Sequence, residues 1–468
     1  NGGLKITFSQ TKKIRKMNNI DLKKKIEQYP DCINNGSKLK GIILDLYPDT
    51  PKAIVNTLVI MVNSGMAKEI QDSENITELD KSRWQKKLED DYGLSERIVS
   101  ACIEIFTECV ADDYDLTDFE IKNNILIAYK GLNSIVRIPD TVISIADEAF
   151  LNCYKITDVI LPNSIISIGE CAFEFCISLT NISVPNGVIS IGNAAFSNCH
   201  DLKTAVISDS VTSIGKSVFE DCLRLSSIII SKGNKKYYSC GNCIIENESK
   251  KLISGCNNSV IPADSSVTQI DDYAFYGFSG LTSMVIPDSV TSIGASAFSG
   301  CSGLTSIMIP SGISSIGQFA FYGCSGLSSV TVNSKNKIYH SNGNCIIETE
   351  KKELILGCKN SVIPIDGSVT SIGIGSFGCC IELISITLPA SITDIGESAF
   401  LFCTGLKNIT IPKSVTEIGK SAFLMCLNLT EIKFNGTIDQ WNNIDKGADY
   451  LKDTAVKEIL CSDGIASV

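Results

Sequence analysis

Histidine, the side chain that most often serves as a general base near neutral pH, occurs only twice in this sequence. His200 follows a cysteine that recurs along the chain, and His340 lies in a segment of a different kind. A nucleophilic serine or cysteine needs a base within hydrogen-bond reach, and these two positions suggest no such arrangement. We therefore expect no catalytic residues and no enzymatic activity.

The segment Cys240-Gly-Asn-Cys243 has the spacing of redox and zinc-binding motifs. A related later segment has Asn342 in place of Cys240, and no second C-x-x-C or histidine pair would complete four metal ligands. The neighbouring Cys379 and Cys380 form no motif of this kind either. No glycine-rich phosphate loop of the Walker type occurs. The sequence therefore predicts a turn at Cys240–Cys243, no metal site and no cofactor.

Cysteines recur three positions after a recurring phenylalanine, with Phe278 replacing the cysteine once; they are Cys153, Cys176, Cys199, Cys222, Cys301, Cys324, Cys380, Cys403 and Cys426. A buried thiol is small and nearly apolar, and it can donate a weak hydrogen bond to a turn carbonyl. We interpret these residues as a ladder of unpaired structural thiols. Disulfide bonds or metal ligands are the alternatives.

The recurring phenylalanines reveal an internal repeat; they are Phe150, Phe173, Phe196, Phe219, Phe275, Phe298, Phe321, Phe377, Phe400 and Phe423. The interval is 23 residues, broken twice by a gap of 56, so the larger unit is 102 residues long. Within one repeat, Ile307 and Ile309 alternate with polar neighbours as in a short half-buried strand, and Pro310 ends that strand. Because one repeat cannot cover its own apolar face, stacked repeats must form a continuous core.

The pattern Leu-x-x-Ile-x-Ile-Pro followed by Ser-Val-x-x-Ile-Gly-x-x-Ala-Phe-x-x-Cys resembles the BspA-type (Treponema-type) leucine-rich repeats of bacterial proteins. The resemblance covers residues 117–461. It implies a right-handed, α/β-type leucine-rich-repeat solenoid of about a dozen coils, with parallel strands on the concave face. Members of that family resemble adhesins that bind host matrix proteins or other cells, and the resemblance therefore implies a protein partner.

Two related insertions and the chain segments at either end of the array break the repeat. Residues 234–245 and 336–347 combine Tyr- and Ile-rich flanks with a Gly-Asn turn, which predicts two hairpins. A degenerate copy at 119–127 predicts an N-terminal cap hairpin. The segment 434–444, which contains Trp441, predicts a C-terminal cap. We therefore expect a solenoid domain over residues 115–461.

Residues 1–114 lack this period and alternate helix-start signals with breaks. Ser37 and Ser95 precede segments of helical pattern and are candidate N-caps. Apolar spacing fits one helix face at Ile98, Cys102, Ile105, Phe106 and Cys109. The sequence predicts a small helical bundle domain, for which a protein-docking role is our leading interpretation.

Charge and hydropathy limit the partners and the location of the protein. The net charge is −11, which disfavours nucleic acid because phosphate binding needs clustered Lys and Arg. No apolar run is long enough for a membrane span. The absence of a visible signal peptide and the many thiols favour the cytoplasm, whereas the family resemblance favours the cell surface or secretion. Nothing in the sequence indicates the oligomeric state.

The outward strand positions are the remaining candidates for a binding site, and they are mostly small, neutral and polar. Apolar groups stand out at Ile229, Val285 and Met308. The predicted concave binding site consists of Ser283, Val285, Ser306, Met308, Ser329 and Thr331. We expect a protein-binding scaffold of the adhesin type. The alternatives are an intracellular adaptor that binds its partner through the helical domain, and an enzyme with a site in residues 1–116.

Overall fold

The structure is a computed structural model that describes residues 22, 25–26, 28–48, 50, 52–71, 78–110 and 116–467. The chain divides into two compact units, residues 1–115 and 116–468. The second unit is a β-solenoid of about 15 turns with 23-residue repeats, and a helical region precedes it. The predicted fold class is thereby confirmed, with slightly more turns than the expected dozen.

The helical unit contains α1 (Gly36–Leu46), α2 (Lys52–Asn63), α3 (Met66–Gln71), α4 (Glu78–Tyr92) and α5 (Glu96–Val110), after a 3₁₀ turn at Pro30–Asn34. Its core includes Leu39, Ile43, Leu58, Met61, Trp84, Ile98, Cys102, Ile105 and Phe106. The α5 face is therefore buried as predicted, although the side chain of Cys109 lies outside the described residues.

The N-cap of α1 differs from the predicted residue. The Asn35 side chain accepts a hydrogen bond from the Lys38 backbone N–H at 3.1 Å, so the helix begins one residue before Ser37. The predicted Ser37 cap is wrong, because this serine already lies in the first helical turn. Its neighbour Asn35 is as good a capping residue as serine.

One side of the solenoid carries the Ile-x-Ile strands, which we call the first ladder. Its strands form four separate sheets of two, three, two and five strands. Within each sheet neighbouring strands pair in parallel, except at the last, antiparallel pair. The strands are Ile135–Arg137, Asp158–Ile160, Asn181–Val184, Thr204–Ile207, Ser227–Ile230, Ser306–Ile309, Ser329–Val332, Ser385–Thr387, Asn408–Ile411, Glu431–Phe434, Glu458–Cys461 and Gly464–Ser467. The predicted period-2 alternation is present, since Ile307 and Ile309 are buried while Ser306 and Met308 are exposed.

A second ladder runs through the Ile-Gly segments, for which the sequence analysis predicted no strand. Three hairpins begin its three sheets, and the other strands are mostly two residues long. They are Phe119–Lys122, Ile125–Tyr129, Ser144–Ile145, Ser167–Ile168, Ser190–Ile191 and Ser213–Ile214; Tyr237–Cys240, Cys243–Glu246, Lys251–Ser254, Gln269–Ile270, Ser292–Ile293 and Ser315–Ile316; and Tyr339–Asn342, Cys345–Glu348, Glu353–Leu356, Ser371–Ile372, Asp394–Ile395, Glu417–Ile418 and Asp445–Lys446.

Glycine after the second-ladder strand permits close stacking of the coils. A Cβ atom on Gly294 would lie 2.4 Å from the backbone nitrogen of Asp272 in the preceding coil. The chain then forms a run of turns from Gly294 to Cys301, which we call the turn wall of the coil. This part of each coil therefore consists of turns.

The turn walls are held together by hydrogen bonds between successive coils. The backbone N–H of Phe298 donates to the Ala320 carbonyl at 2.8 Å. The thiol of Cys301 donates to the Phe275 carbonyl at 3.1 Å, and that of Cys324 donates to the Phe298 carbonyl at 3.1 Å. The predicted thiol-to-carbonyl ladder is confirmed at these cysteines. The thiol is a second donor to a carbonyl that also accepts from the backbone N–H three residues later in its own coil, as Phe298 does from Cys301.

All three predicted hairpins are present, and their turns have the same geometry. Gly241 and Asn242 have φ values of 56° and 58°, and Asn123 and Asn124 have φ values of 51° and 63°. Two successive positive φ angles define the type I′ turn that matches the twist of paired strands. The C-x-x-C segment is therefore a hairpin turn, as predicted.

The last coils end in a short helix and a further hairpin. The helix α6 (Ile438–Asn442) is capped by the Thr437 side chain, which accepts from the Gln440 backbone N–H, and the Gln440 side-chain oxygen accepts from the Thr437 backbone N–H. Trp441 is buried and meets Phe434 edge-on, with ring centroids 5.3 Å apart. The tryptophan thus covers the end of the apolar core, as expected of a cap.

Candidate binding surface on the outer side of the first ladder

Four of the six predicted site residues lie on two adjacent strands in register. Ser306 is opposite Ser329, and Met308 is opposite Thr331, in the parallel pair of strands at 306–309 and 329–332. Their neighbours on the inner side are buried, with Ile307 only 2% exposed. Because successive strand residues point to opposite faces, these four side chains form one outward patch.

The other two predicted residues, Ser283 and Val285, precede that pair by one coil. They lie in an extended segment that has no ladder pairing, so the strand expected here is absent. A single backbone contact, from the Thr305 N–H to the Thr282 carbonyl at 3.3 Å, joins this segment to the next coil. Burial still alternates, since Met284 is buried whereas Val285 is 75% exposed. All six residues therefore share the outer side of the first ladder, which we call the strand face.

The strand face is neutral in this region and carries two exposed apolar groups. Met308 is 50% exposed and Val285 75% exposed, and neither is needed to fill the core. Ser306, Ser329 and Thr331 add hydroxyl groups to the two strands that carry Met308. Such a surface can desolvate apolar side chains of a partner and offer hydrogen bonds at the edge of the contact.

The hairpin at 339–348 closes one end of this patch. The Val332 backbone N–H donates to the Ser341 hydroxyl at 3.1 Å, and the Val330 N–H donates to the Asn344 side-chain oxygen at 2.8 Å. Side chains of the hairpin thus accept hydrogen bonds from backbone N–H groups of the strand Ser329–Val332. These groups would otherwise be free to pair with another chain. The hairpin bounds the strand face at its end rather than along its side.

Sequence reasoning missed a second row of exposed apolar side chains. Ile143, Ile166 and Ile189 lie on successive coils, each just before a second-ladder strand, and their exposed fractions are 42%, 48% and 50%. Backbone hydrogen bonds link them, from Ile166 to Ile143 at 2.8 Å and from Ile189 to Ile166 at 2.7 Å. A signal was present in the sequence, since later coils have serine or threonine at this position.

The candidate chemical groups are not brought together. His340 Nδ1 contacts the Thr349 hydroxyl at 2.9 Å within the hairpin. Burial raises the pKa of the Cys243 thiol to about 12, and only the thiolate is a good nucleophile or metal ligand. In the part of the chain that the structure describes, no group of three or more His, Cys, Asp or Glu side chains could hold a metal ion.

Comparison with known families matches most of the solenoid. The profile of the BspA type Leucine rich repeat region matches residues 119–250, 246–363 and 356–444, which together exceed half of the chain. The chain belongs to this family. Membership in the BspA-type family confirms the resemblance inferred from the repeat pattern and assigns the 23-residue coils to leucine-rich repeats.

Several solved leucine-rich-repeat structures are similar to this BspA-type chain. A leucine rich cell surface protein from Faecalibacterium prausnitzii A2-165 is 27% identical over 70% of this chain and 95% of that chain, with a TM-score of 0.41. A leucine-rich repeat protein from Bacteroides ovatus ATCC 8483 is 30% identical over 69% of this chain and 83% of that chain, with a TM-score of 0.35. A comparison with curated proteins found no match.

A third solved structure, a leucine-rich repeat protein from Eubacterium ventriosum ATCC 27560, is 26% identical over 64% of this chain and 88% of that chain, with a TM-score of 0.46. Among the described residues of this BspA-type protein, no helix is both long and apolar enough to cross a membrane.

Proposed function

We propose that this BspA-type protein is a non-enzymatic scaffold of the adhesin type that binds a protein or peptide partner on its strand face. The observation that carries the proposal is the exposure of Val285 and Met308, two apolar side chains that the core does not require. Exposed apolar groups framed by polar ones are typical of protein contact sites. The partner would lie across residues 283–331, next to the hairpin at 339–348.

Introducing charged side chains on the strand face tests this proposal. The double variant Met308→Glu with Ser306→Arg should leave the thermal unfolding profile unchanged, because both side chains point outward. It should weaken partner binding by about 1–2 kcal/mol or more, which is roughly a 5- to 30-fold rise in Kd. The measurement is surface plasmon resonance against purified matrix proteins and any partner recovered by pull-down.

The internal repeat supplies a matched control. Asn408 and Thr410 occupy the same outward positions one 102-residue unit later, on the strand Asn408–Ile411. The double variant Asn408→Arg with Thr410→Glu should leave affinity unchanged if the partner lies at 283–331. Equal losses in both variants would indicate a non-specific charge effect.

The adaptor alternative makes the opposite prediction. If the strand-face variant binds as well as the wild type, while a chain without residues 1–114 does not bind, then the helical unit carries the function. An enzyme with a site in that unit would instead show turnover of a substrate, with no dependence on Met308.

A further inference from the structure

The second hairpin insertion leaves a notch in the turn wall of the solenoid. Ordinary coils have a full turn wall after the second-ladder strand, but in the inserted coil the strand Glu353–Leu356 is followed at once by Gly357 and Cys358. Gly357 fits against the next coil only because it lacks a side chain, since a Cβ atom there would lie 2.1 Å from the Phe377 ring. The turn walls of the coils on either side therefore face each other across a short coil.

A cavity of about 220 Å³ occupies this notch. The coil before the insertion contributes Gln318, Phe319 and Tyr322, and the coil after it contributes Gly373 and Ile374. The Phe319 and Tyr322 rings meet edge-on, with centroids 5.7 Å apart and planes inclined at 85°. Aromatic groups thus form one side of the cavity.

Three charged residues of the hairpin insertion line the same cavity, namely Glu348, Lys351 and Glu353. Lys351 pairs with Glu348 at 2.9 Å, which leaves the carboxylate of Glu353 without an ion-pair partner among the described residues. Burial raises the pKa of Glu353, and Lys351 offsets this only in part. The cavity therefore carries one carboxylate whose charge the protein does not balance.

The first hairpin insertion shows what the chain places at the equivalent positions. There Lys216 pairs with Asp272 at 2.9 Å, and Lys251 pairs with Asp271 at 3.3 Å. One 102-residue unit later, the first pair is replaced by the uncharged residues Gln318 and Ile374. In the second pair, Glu353 replaces the lysine and Gly373 replaces the aspartate. At the first junction these positions supply two ammonium groups, and at the second they supply neither, so that the only ammonium group lining the cavity is that of Lys351, which pairs with Glu348.

We propose that the cavity at the second junction binds an organic cation, a guanidinium or primary ammonium group on a short apolar stem. The cation would pair with Glu353, and its stem would pack against Phe319 and Tyr322, which also favour a cation over their ring faces. Drug-sized ligands occupy roughly 300–1,000 Å³, so a cavity of about 220 Å³ admits one side chain or a small amine. The group is carried either by a free amine or by an Arg or Lys side chain of a partner.

Ligand-observed NMR titration of the full chain tests this site with three probes. Butylguanidinium should bind, and its neutral isostere butylurea should bind at least about tenfold more weakly. The capped peptide acetyl-Gly-Arg-Gly-amide distinguishes the two sources of the cation. Tighter binding of the peptide than of butylguanidinium would identify a partner side chain, and weaker binding would identify a free amine.

Variants at the cavity and at a matched position complete the test. Glu353→Gln should lower the affinity for butylguanidinium at least about tenfold without changing that for butylurea. Glu417→Gln is the matched control, because it removes an exposed carboxylate from the same ladder. Glu417 lies two strands beyond Ser371, the residue that pairs with Glu353. This variant should change neither the affinity for butylguanidinium nor that for butylurea. Gln318→Lys with Ile374→Asp introduces the ion pair of the first junction and should abolish binding.

Three results would overturn the proposal: no binding of butylguanidinium, equal binding of butylguanidinium and butylurea, or the same affinity in Glu353→Gln as in the wild type. Circular dichroism melting of each variant shows that the solenoid remains folded. The test is independent of the strand face, because Met308→Glu with Ser306→Arg should leave butylguanidinium binding unchanged.

Discussion

Replacing Phe298 by alanine is expected to lower the free energy of unfolding by about 3–5 kcal/mol. Phe298 is fully buried and its ring is stacked between those of Phe275 and Phe321, with centroids 5.0 and 5.3 Å away and planes within 3°. Alanine would remove both contacts and leave a cavity that the rigid neighbouring coils cannot fill. Urea denaturation followed by circular dichroism measures the change.

Phe402 provides the control for Phe298→Ala. It lies in another turn wall but is 39% exposed, so Phe402→Ala should cost less than about 1 kcal/mol. Because each coil contacts only its neighbours, hydrogen exchange in Phe298→Ala should rise first in the coils that contain Phe275 and Phe321. A loss below about 1 kcal/mol in Phe298→Ala would show that the recurring ring is not a core residue.

The native protein is expected to show few reactive thiols, whereas denaturation should reveal nearly all 20 cysteines as free thiols. Fourteen of the described cysteines are buried, and only Cys240 is exposed. Burial also raises the pKa of Cys426 to about 12, so at pH 8 roughly one such thiol in ten thousand is ionised. Reaction with a chromogenic disulfide, with and without denaturant, gives both counts.

Cys240 supplies the internal control for thiol reactivity. Cys240→Ser should remove most of the fast native reaction, whereas Cys301→Ser should leave it unchanged, because the Cys301 thiol is buried and donates to the Phe275 carbonyl. If most cysteines prove oxidised after denaturation without reductant, the ladder of unpaired thiols is wrong and a disulfide framework replaces it.

The two units should differ in how far the destabilising effect of a single substitution extends through the structure. In the solenoid, the hydrogen bonds described above join neighbouring coils, so damage is expected to stay local. In the helical unit, one cluster of apolar side chains unites α1 to α5, including Trp84 and Phe106. A substitution there is therefore expected to affect the whole unit.

The repeat made most of the solenoid predictable from the sequence. Because stacked coils place equivalent residues on top of one another, a period of residue types along the chain becomes a row in space. The inward direction of Ile307 and Phe298, the outward direction of Met308, and the hydrogen bond of the Cys301 thiol all follow from that rule. The hairpin turns were equally predictable, since Gly-Asn and Asn-Asn accept the positive φ angles that a type I′ turn needs.

Features that depend on which coils are neighbours in the solenoid could be seen only in the tertiary structure. Two-residue strands such as Ser292–Ile293 are too short to have a period, so the second ladder appears only when neighbouring coils pair. The strand that is missing at Ser283–Val285 is present one 102-residue unit later, as Ser385–Thr387, so the residue pattern alone does not decide which coils pair.

The cavity at the second junction is the clearest case of a site that tertiary structure alone determines. Gln318 and Ile374 are separated by a whole inserted hairpin in the sequence, and nothing in either residue type indicates that they line one cavity. Both residues line the cavity because the shortened coil at Gly357 lies between two full turn walls. The sequence by itself determined the repeating coil and the direction of its side chains, whereas the stacking of unequal coils decided where the solenoid has room for a ligand.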